Sequence, residues 1–234
     1  MTAWLGWIRA LPLCSSRVLL LVGGRIGHRL VTLLGVGSVL GSALLSGMLI
    51  ADFVAAEGAA VTIRLLPWFS SPGLSVSFGF YFDGLSAVML GVITGVGLLI
   101  HLYSAAYMAG DEGYARFFGY LNLFVGAMLL LVLADDFLVL YLGWEGVGLC
   151  SFLLIGFWYK KPTAIYANLK AFLVNRVGDF GFLLGIAAVY ATFNSMDYAS
   201  VFAAAPGYAD ATYQIFPGVD WSLMSVICIS LFIG

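Results

Sequence analysis

Runs of about twenty apolar residues recur along this chain, and each is long enough for a helix at 1.5 Å per residue to cross a ~30 Å hydrocarbon layer. Seven can be marked, at residues 4–23, 30–51, 82–104, 115–134, 137–158, 165–192 and 219–234. Inside lipid every backbone N–H and C=O needs a protein partner, and a helix provides those partners within one segment. Composition agrees with a membrane protein: 62% of residues are hydrophobic, only 9% are charged, and the mean hydropathy is +1.05. The expected fold is therefore an all-α integral membrane protein of about seven transmembrane helices. The first run is the weakest, because Arg9 and Arg17 interrupt it. No small-x-small cleavage site follows its apolar part, so it reads as a retained helix, not a signal peptide.

Charge and cysteine usage exclude other classes. A net charge of −2 with no basic tract leaves no footprint for nucleic acid. Cys14, Cys150 and Cys228 are far apart and odd in number, without metal-ligand spacing, and read as small core residues.

The connections between the runs set an orientation. Arg25 and Arg29 lie in the first, Arg116 in the third, and Lys160 and Lys161 in the fifth. The second holds only Arg64, the fourth is Asp135-Asp136, and the sixth contains Asp197 and Asp210 without Lys or Arg. Positive charge gathers on the cytoplasmic side, so the odd connections face the cytoplasm and the N-terminus lies outside. In the second connection Val76, Phe78, Phe80 and Phe82 alternate with smaller or polar residues, the period of a half-buried strand. The segment from Val61 to Leu66 can pair with it across a turn at Pro67–Gly73, making a short external β-hairpin. Asp83 then precedes the third run and is placed to cap its first turn.

Three ionisable groups sit inside the apolar runs. Glu145 is midway along 137–158, and Arg176 and Asp179 are midway along 165–192. A charge near the bilayer centre costs at least about 2.5–3.5 kcal/mol, and such residues commonly mark an ion or proton path. Glu145 lies about 12 Å below the outer face and Arg176 about 16 Å above the inner one. In a ~30 Å layer both stand at one level. Asp179, at i+3 from Arg176, faces the same general direction. A static buried ion pair is one reading, since opposite charges offset each other's desolvation. The other is a pair that opens and closes as Glu145 takes and gives a proton, which the rule for intramembrane ionisable groups favours. Tyr141, one turn before Glu145, is placed to hydrogen-bond its carboxylate, and Gly143, Gly146 and Gly148 suit close helix contact. Lys170 reads either as a snorkelling interfacial lysine or as a proton-uptake group. His101 reads as a polar interface residue and His28 as a solvated loop residue. Trp68, Trp158 and Tyr159 suit an interfacial aromatic belt.

Several longer motifs carry a resemblance. Tyr81-Phe82-Asp83-Gly84-Leu85-Ser86, Gly113-Tyr114-Ala115-Arg116-Phe117-Phe118, the run from Gly143-Trp144-Glu145-Gly146 to Trp158, and Lys170-Ala171-Phe172 with Asn175-Arg176-Val177-Gly178-Asp179 resemble the large antiporter-like, proton-translocating subunits of respiratory complex I, known as subunit L or chain 5. The match is dense over residues 75–192, while the first seventy residues agree mainly in layout. The resemblance implies an antiporter-like bundle, with residues 1–81 forming N-terminal helices and the hairpin and residues 82–234 opening the proton-translocation domain. It also implies a subunit of the H+-translocating NADH:quinone oxidoreductase, with Glu145, Arg176, Asp179 and Lys170 in the proton path. Neither a cofactor nor a metal is expected in this chain; NADH, FMN, iron–sulfur clusters and quinone belong to partner subunits. Its partners would be the other membrane-arm subunits and the lipid bilayer. The implied location is the inner (plasma) membrane of a bacterium in preference to the mitochondrial inner membrane.

Family members run to more than a dozen helices, and the seventh normally brings a lysine to the helix-five glutamate. Here the seventh run reaches Gly234 without one, so the expected contribution is at most an outer half-channel. Two other readings stay open: an Mrp-type cation/proton antiporter or related non-redox subunit, and an inactive structural fragment.

Overall fold

The structure, a computed structural model, describes residues 2–71, 74–216 and 218–234. Helices α1 (Thr2–Val22) and α2 (His28–Ala55) lead into a hairpin of β1 (Val61–Ser71) and β2 (Leu74–Phe82). Four more long-bundle helices follow: α3 (Gly84–Tyr107), α4 (Tyr114–Val132), α5 (Phe137–Ile155) and α6 (Pro162–Phe193). The short α7 (Tyr198–Ala204), a second hairpin of β3 (Thr212–Phe216) and β4 (Val219–Ser222), and α8 (Leu223–Ile233) complete the order. Among the described residues, six helices are long and apolar enough to cross a membrane. The seventh expected run is corrected: its first residues pair as β4 with β3, and α8 has 11 residues.

The local reasons for these elements are visible at their ends. Asp83 accepts from Ser86 N at 2.8 Å and opens α3, as its position before the apolar run suggested. Asp136 caps α5 in the same way through Leu138 N at 2.7 Å. Helix α6 stops where Asn194 adopts a left-handed backbone (φ 51°) and returns its N–H to Tyr190 O, a conformation asparagine tolerates. In the first hairpin Val76, Phe80 and Phe82 are buried, in keeping with the alternation. Strand β1, however, continues through Pro67 to Ser71. Register shifts on both sides of the Leu66–Pro67 step make room for a residue that lacks an N–H. Residues 72 and 73 of the expected turn lie outside the described residues.

Leu5 and Ile8 of α1, Val39 of α2, Phe80 of β2, Leu90 of α3 and Val125 of α4 share one core. A second core joins Phe137 of α5, Phe182 and Ile186 of α6, and Ile227 of α8. Arg9 places its guanidinium over the Phe80 ring, 4.7 Å from the centroid, so the arginine in the weakest run faces the hairpin. Hydroxyls tie the helices where lipid offers no partner: Ser16 donates to Gly119 O and Ser42 to Ile8 O, both at 2.8 Å. Glycines permit close approach. A Cβ at Gly143 would stand 2.6 Å from Leu131 N of α4, whereas Gly148 faces open space.

The even connections collect at one end of the bundle. Tyr81 N donates to Leu133 O, Phe137 N to Met196 O and Tyr198 N to Asp135 O, and Arg64 pairs with Asp197 at 3.3 Å. The odd connections meet at the opposite end, where Arg116 donates to Phe157 O, Trp158 Nε1 donates to Asp111 Oδ2, and Lys161 lies over the Trp158 ring at 4.1 Å. Three minor expectations change. His101 is fully buried and bonded to Gly97 O. His28 starts α2 and stacks on Tyr114. Cys150 is buried but Cys14 and Cys228 are exposed.

Candidate functional site

Helix α5 presents Tyr141, Trp144 and Glu145 within about one turn, and α6 presents Arg176 and Asp179 one turn apart. The two helices are joined by a short connection, which makes them antiparallel neighbours. Arg176 Nη1 lies 2.5 Å from Glu145 Oε1 and 3.5 Å from Asp179 Oδ2. Tyr141 donates its hydroxyl to Glu145 Oε1 at 2.6 Å. Trp144 donates its indole N–H to Asp179 Oδ1 at 2.8 Å. One guanidinium thus stands between two carboxylates, each of which also accepts from an aromatic side chain of α5. Arg176 Cζ further lies 5.2 Å from the Phe172 ring centroid, a cation–π contact made by the guanidinium itself.

The expectation that all three charges are buried is corrected. Asp179 is enclosed, with a side chain 12% exposed, but Glu145 is 27% and Arg176 50% exposed. The cause is local: Arg176 lies on a stretch of α6 whose neighbours Val174, Asn175 and Val177 are also exposed. Lys170 stands apart. It is exposed, about 9 Å along α6 from Arg176, and no ion pair joins it to the other three among the described residues. The structure therefore brings together Glu145, Arg176 and Asp179, bonds Tyr141 to Glu145 as its place one turn earlier suggested, and leaves Lys170 outside.

Trp144 is the residue that sequence reasoning missed. Its signal was chemical: an indole N–H among apolar side chains usually finds an acceptor, and an acidic residue on the next helix was available. Two cavities adjoin it. One, of about 560 Å³, is bordered by Trp144, Ser151, Asn175 and Asp179. The other, of about 590 Å³, lies toward the hairpin and is bordered by Tyr81, Asp83, Trp144, Phe182 and Tyr198. Trp144 walls both.

The hairpin end carries a second acidic group. Asp135 and Asp136 are buried, and the backbone at Asp136 pairs with that at Asp197 in a single antiparallel β-bridge. Burial pushes the Asp136 carboxyl up to about 6, opposed by Leu138 N–H and reinforced by the charge of Asp135. Burial also raises Asp135. Tyr198 is raised by burial and by both aspartates. At the opposite end Gly113 N–H and then the Trp158 indole hold Asp111 below the usual carboxylate range. Among the described residues no group of three or more His, Cys, Asp or Glu is arranged to hold a metal ion.

Residues 68–118 match the family described as NADH-ubiquinone oxidoreductase (complex I), chain 5 N-terminus. Residues 134–234 match the family described as NADH:quinone oxidoreductase/Mrp antiporter, transmembrane. The chain is 47% identical over 232 residues to NADH-quinone oxidoreductase subunit L of Neisseria meningitidis serogroup B, covering 97% of this chain and 34% of that protein. It is 47% identical over 207 residues to subunit L of Mycobacterium tuberculosis, covering 86% of this chain and 32% of the relative. With subunit L of Rickettsia bellii it shares 40% identity over 224 residues, 96% of this chain and 35% of the relative. The chain thus spans about a third of the length of these relatives. In fold it is similar to a chain of an archaeal respiratory membrane complex, the membrane-bound sulfane sulfur reductase, with a TM-score of 0.76 at 18% identity, covering 98% of this chain and 43% of that one. A chain of the Mrp complex from a Dietzia species gives a TM-score of 0.71 at 22% identity, covering 98% of this chain and 23% of that one. The two family matches and the extended identity to bacterial relatives together establish that the chain, a multi-pass membrane protein with an antiporter-like fold, belongs to the NADH-quinone oxidoreductase subunit L (chain 5) family.

Proposed function

We propose that this chain contributes part of a proton path to the membrane arm of a proton-translocating NADH:quinone oxidoreductase. Residues 82–234 carry the translocating group, and residues 1–81 brace it. The reading rests on one observation above all: Glu145 and Asp179 share Arg176 midway along two membrane-spanning helices. Holding charge at that depth is costly, and the cost is recovered in function when the group carries an ion. Glu145 accepts and releases the proton, Arg176 compensates its charged form, and Asp179 offers Arg176 a second acceptor when Glu145 is neutral. Lys170, nearer the cytoplasmic end, is the proton-uptake group. NADH, FMN, the iron–sulfur clusters and quinone are bound by partner subunits, and the chain works among the other membrane-arm subunits in the inner membrane of a bacterium. The second family match also covers Mrp antiporters, which supports a cation/proton antiporter as the competing reading. Replacing Glu145 by Gln in the complete complex tests both. The amide keeps the shape but cannot cycle between charged and neutral forms. Proton uptake driven by NADH in membrane vesicles should be abolished or fall strongly with assembly largely intact. Normal pumping would return Glu145 to a packing role, and sodium-dependent proton movement without NADH would favour the antiporter.

A further inference from the structure

Asp179 is the most enclosed charge of the central group, yet its contact with Arg176 is the longer one, 3.5 Å against 2.5 Å for Glu145. Something other than the guanidinium must fix the carboxylate. The Trp144 indole does so geometrically: Nε1 donates to Oδ1 at 2.8 Å, leaving Oδ2 toward Arg176. The ring itself is braced edge-on by Phe182 at 5.6 Å and 72°, so the N–H has little freedom to turn away. Because Trp144 borders both cavities, while Asp179 borders only the one shared with Ser151 and Asn175, the bonded indole also decides which cavity the carboxylate faces.

We propose that Trp144 is a positioning residue whose indole N–H holds Asp179 toward the Ser151–Asn175 cavity and keeps its second oxygen within reach of Arg176. This rests on the proton path proposed above, in which Asp179 is the alternative acceptor for Arg176. Tyr141 and Trp144 then have parallel tasks, since each supplies one neutral donor to one of the two carboxylates. A neutral donor stabilises a carboxylate without competing with Arg176 for charge.

Trp144→Phe in the assembled complex removes the N–H and keeps a ring against Phe182. The infrared carboxylate band of Asp179, identified as the one lost in Asp179→Asn, should move in Trp144→Phe. Proton translocation should slow about tenfold, the loss expected for a hydrogen bond to a charged group. In an Asp179→Leu background, which has no acceptor for the indole, the same substitution should add no further slowing, because its effect runs through the carboxylate. Phe182→Leu keeps the indole N–H but removes its brace, so it should move the Asp179 band less than Trp144→Phe does. An unmoved band in Trp144→Phe, or a further severalfold loss in the double variant, overturns the assignment. If Trp144→Phe does not assemble, the indole N–H marker in ultraviolet resonance Raman of Asp179→Leu, which offers no acceptor, decides. A shifted marker supports the bond and an unshifted one overturns it. A moved band together with normal pumping in Glu145→Gln would sink the proton-path reading while leaving the Trp144–Asp179 contact in place.

Discussion

At the scale of single residues, the hairpin end offers the clearest pH dependence. Asp136 is 3% exposed and burial raises its carboxyl from 3.8 to about 6. The folded protein therefore holds a proton that the unfolded chain releases between those values. The resulting stability is fully present below pH 3.8 and is lost as the pH rises through about 6. The clip formed by Phe137 N–Met196 O and Tyr198 N–Asp135 O should accordingly tighten on going from pH 7 to pH 5. Amide hydrogen exchange at Phe137 and Tyr198 measures this directly. Asp136→Asn keeps an acceptor for Leu138 N, so it should slow exchange at pH 7, by about 1–3 kcal/mol in opening free energy, and flatten the pH dependence. Faster exchange in that variant would mean that the ionised carboxylate is needed there.

At the scale of elements, helix contacts in the bundle depend on missing side chains at defined places. A Cβ at Gly143 would meet the Leu131 backbone, while one at Gly148 would meet nothing. Gly143→Ala should therefore separate α4 from α5 at a cost of about 1–3 kcal/mol, seen as a lower yield of assembled complex or a lower midpoint of thermal aggregation. Gly148→Ala should be neutral or slightly favourable, since it removes only glycine's entropic cost. Equal loss from both would show that the α4–α5 contact is not the reason for the first glycine. The sequence alone distinguished neither glycine from the other, because lipid-facing and helix-facing glycines share one spacing. Other elements were legible for physical reasons. The β1–β2 hairpin showed its alternation, and Asp83 stood before an apolar run where only an N-cap fits well. The β3–β4 hairpin was hidden because Val219 and Trp221 continue into the apolar residues of α8, so strand and helix merged into one run. Glu145 and Arg176 were legible as a level pair because helix rise converts residue number into depth. Trp144 was not, since a hydrogen bond between helices leaves no spacing in either one.

At the scale of the whole molecule, the two ends of the bundle are unlike. Even connections form a hydrogen-bonded cap around Asp135, Asp136 and Asp197, and odd connections gather Arg116, Lys160 and Lys161. Positive charge marks the cytoplasmic side, so a cysteine replacing Lys160 should react only with reagent supplied from the cytoplasm, and one replacing Asp210 only from outside. Reversed labelling would invert the orientation and with it the direction of every proton step. Between these ends lies the central group, which on the proposed function carries a proton and does not merely fasten α5 to α6. The most direct measurement compares assembly and NADH-driven proton translocation in complexes bearing Arg176→Ala, Glu145→Gln, or both. Arg176→Ala leaves Glu145 without its partner and should lower both assembly and transport. Adding Glu145→Gln removes the unpaired charge, so assembly should recover while translocation does not. Recovery of translocation along with assembly would contradict the account, because a pair that can be replaced by two neutral side chains carries no proton.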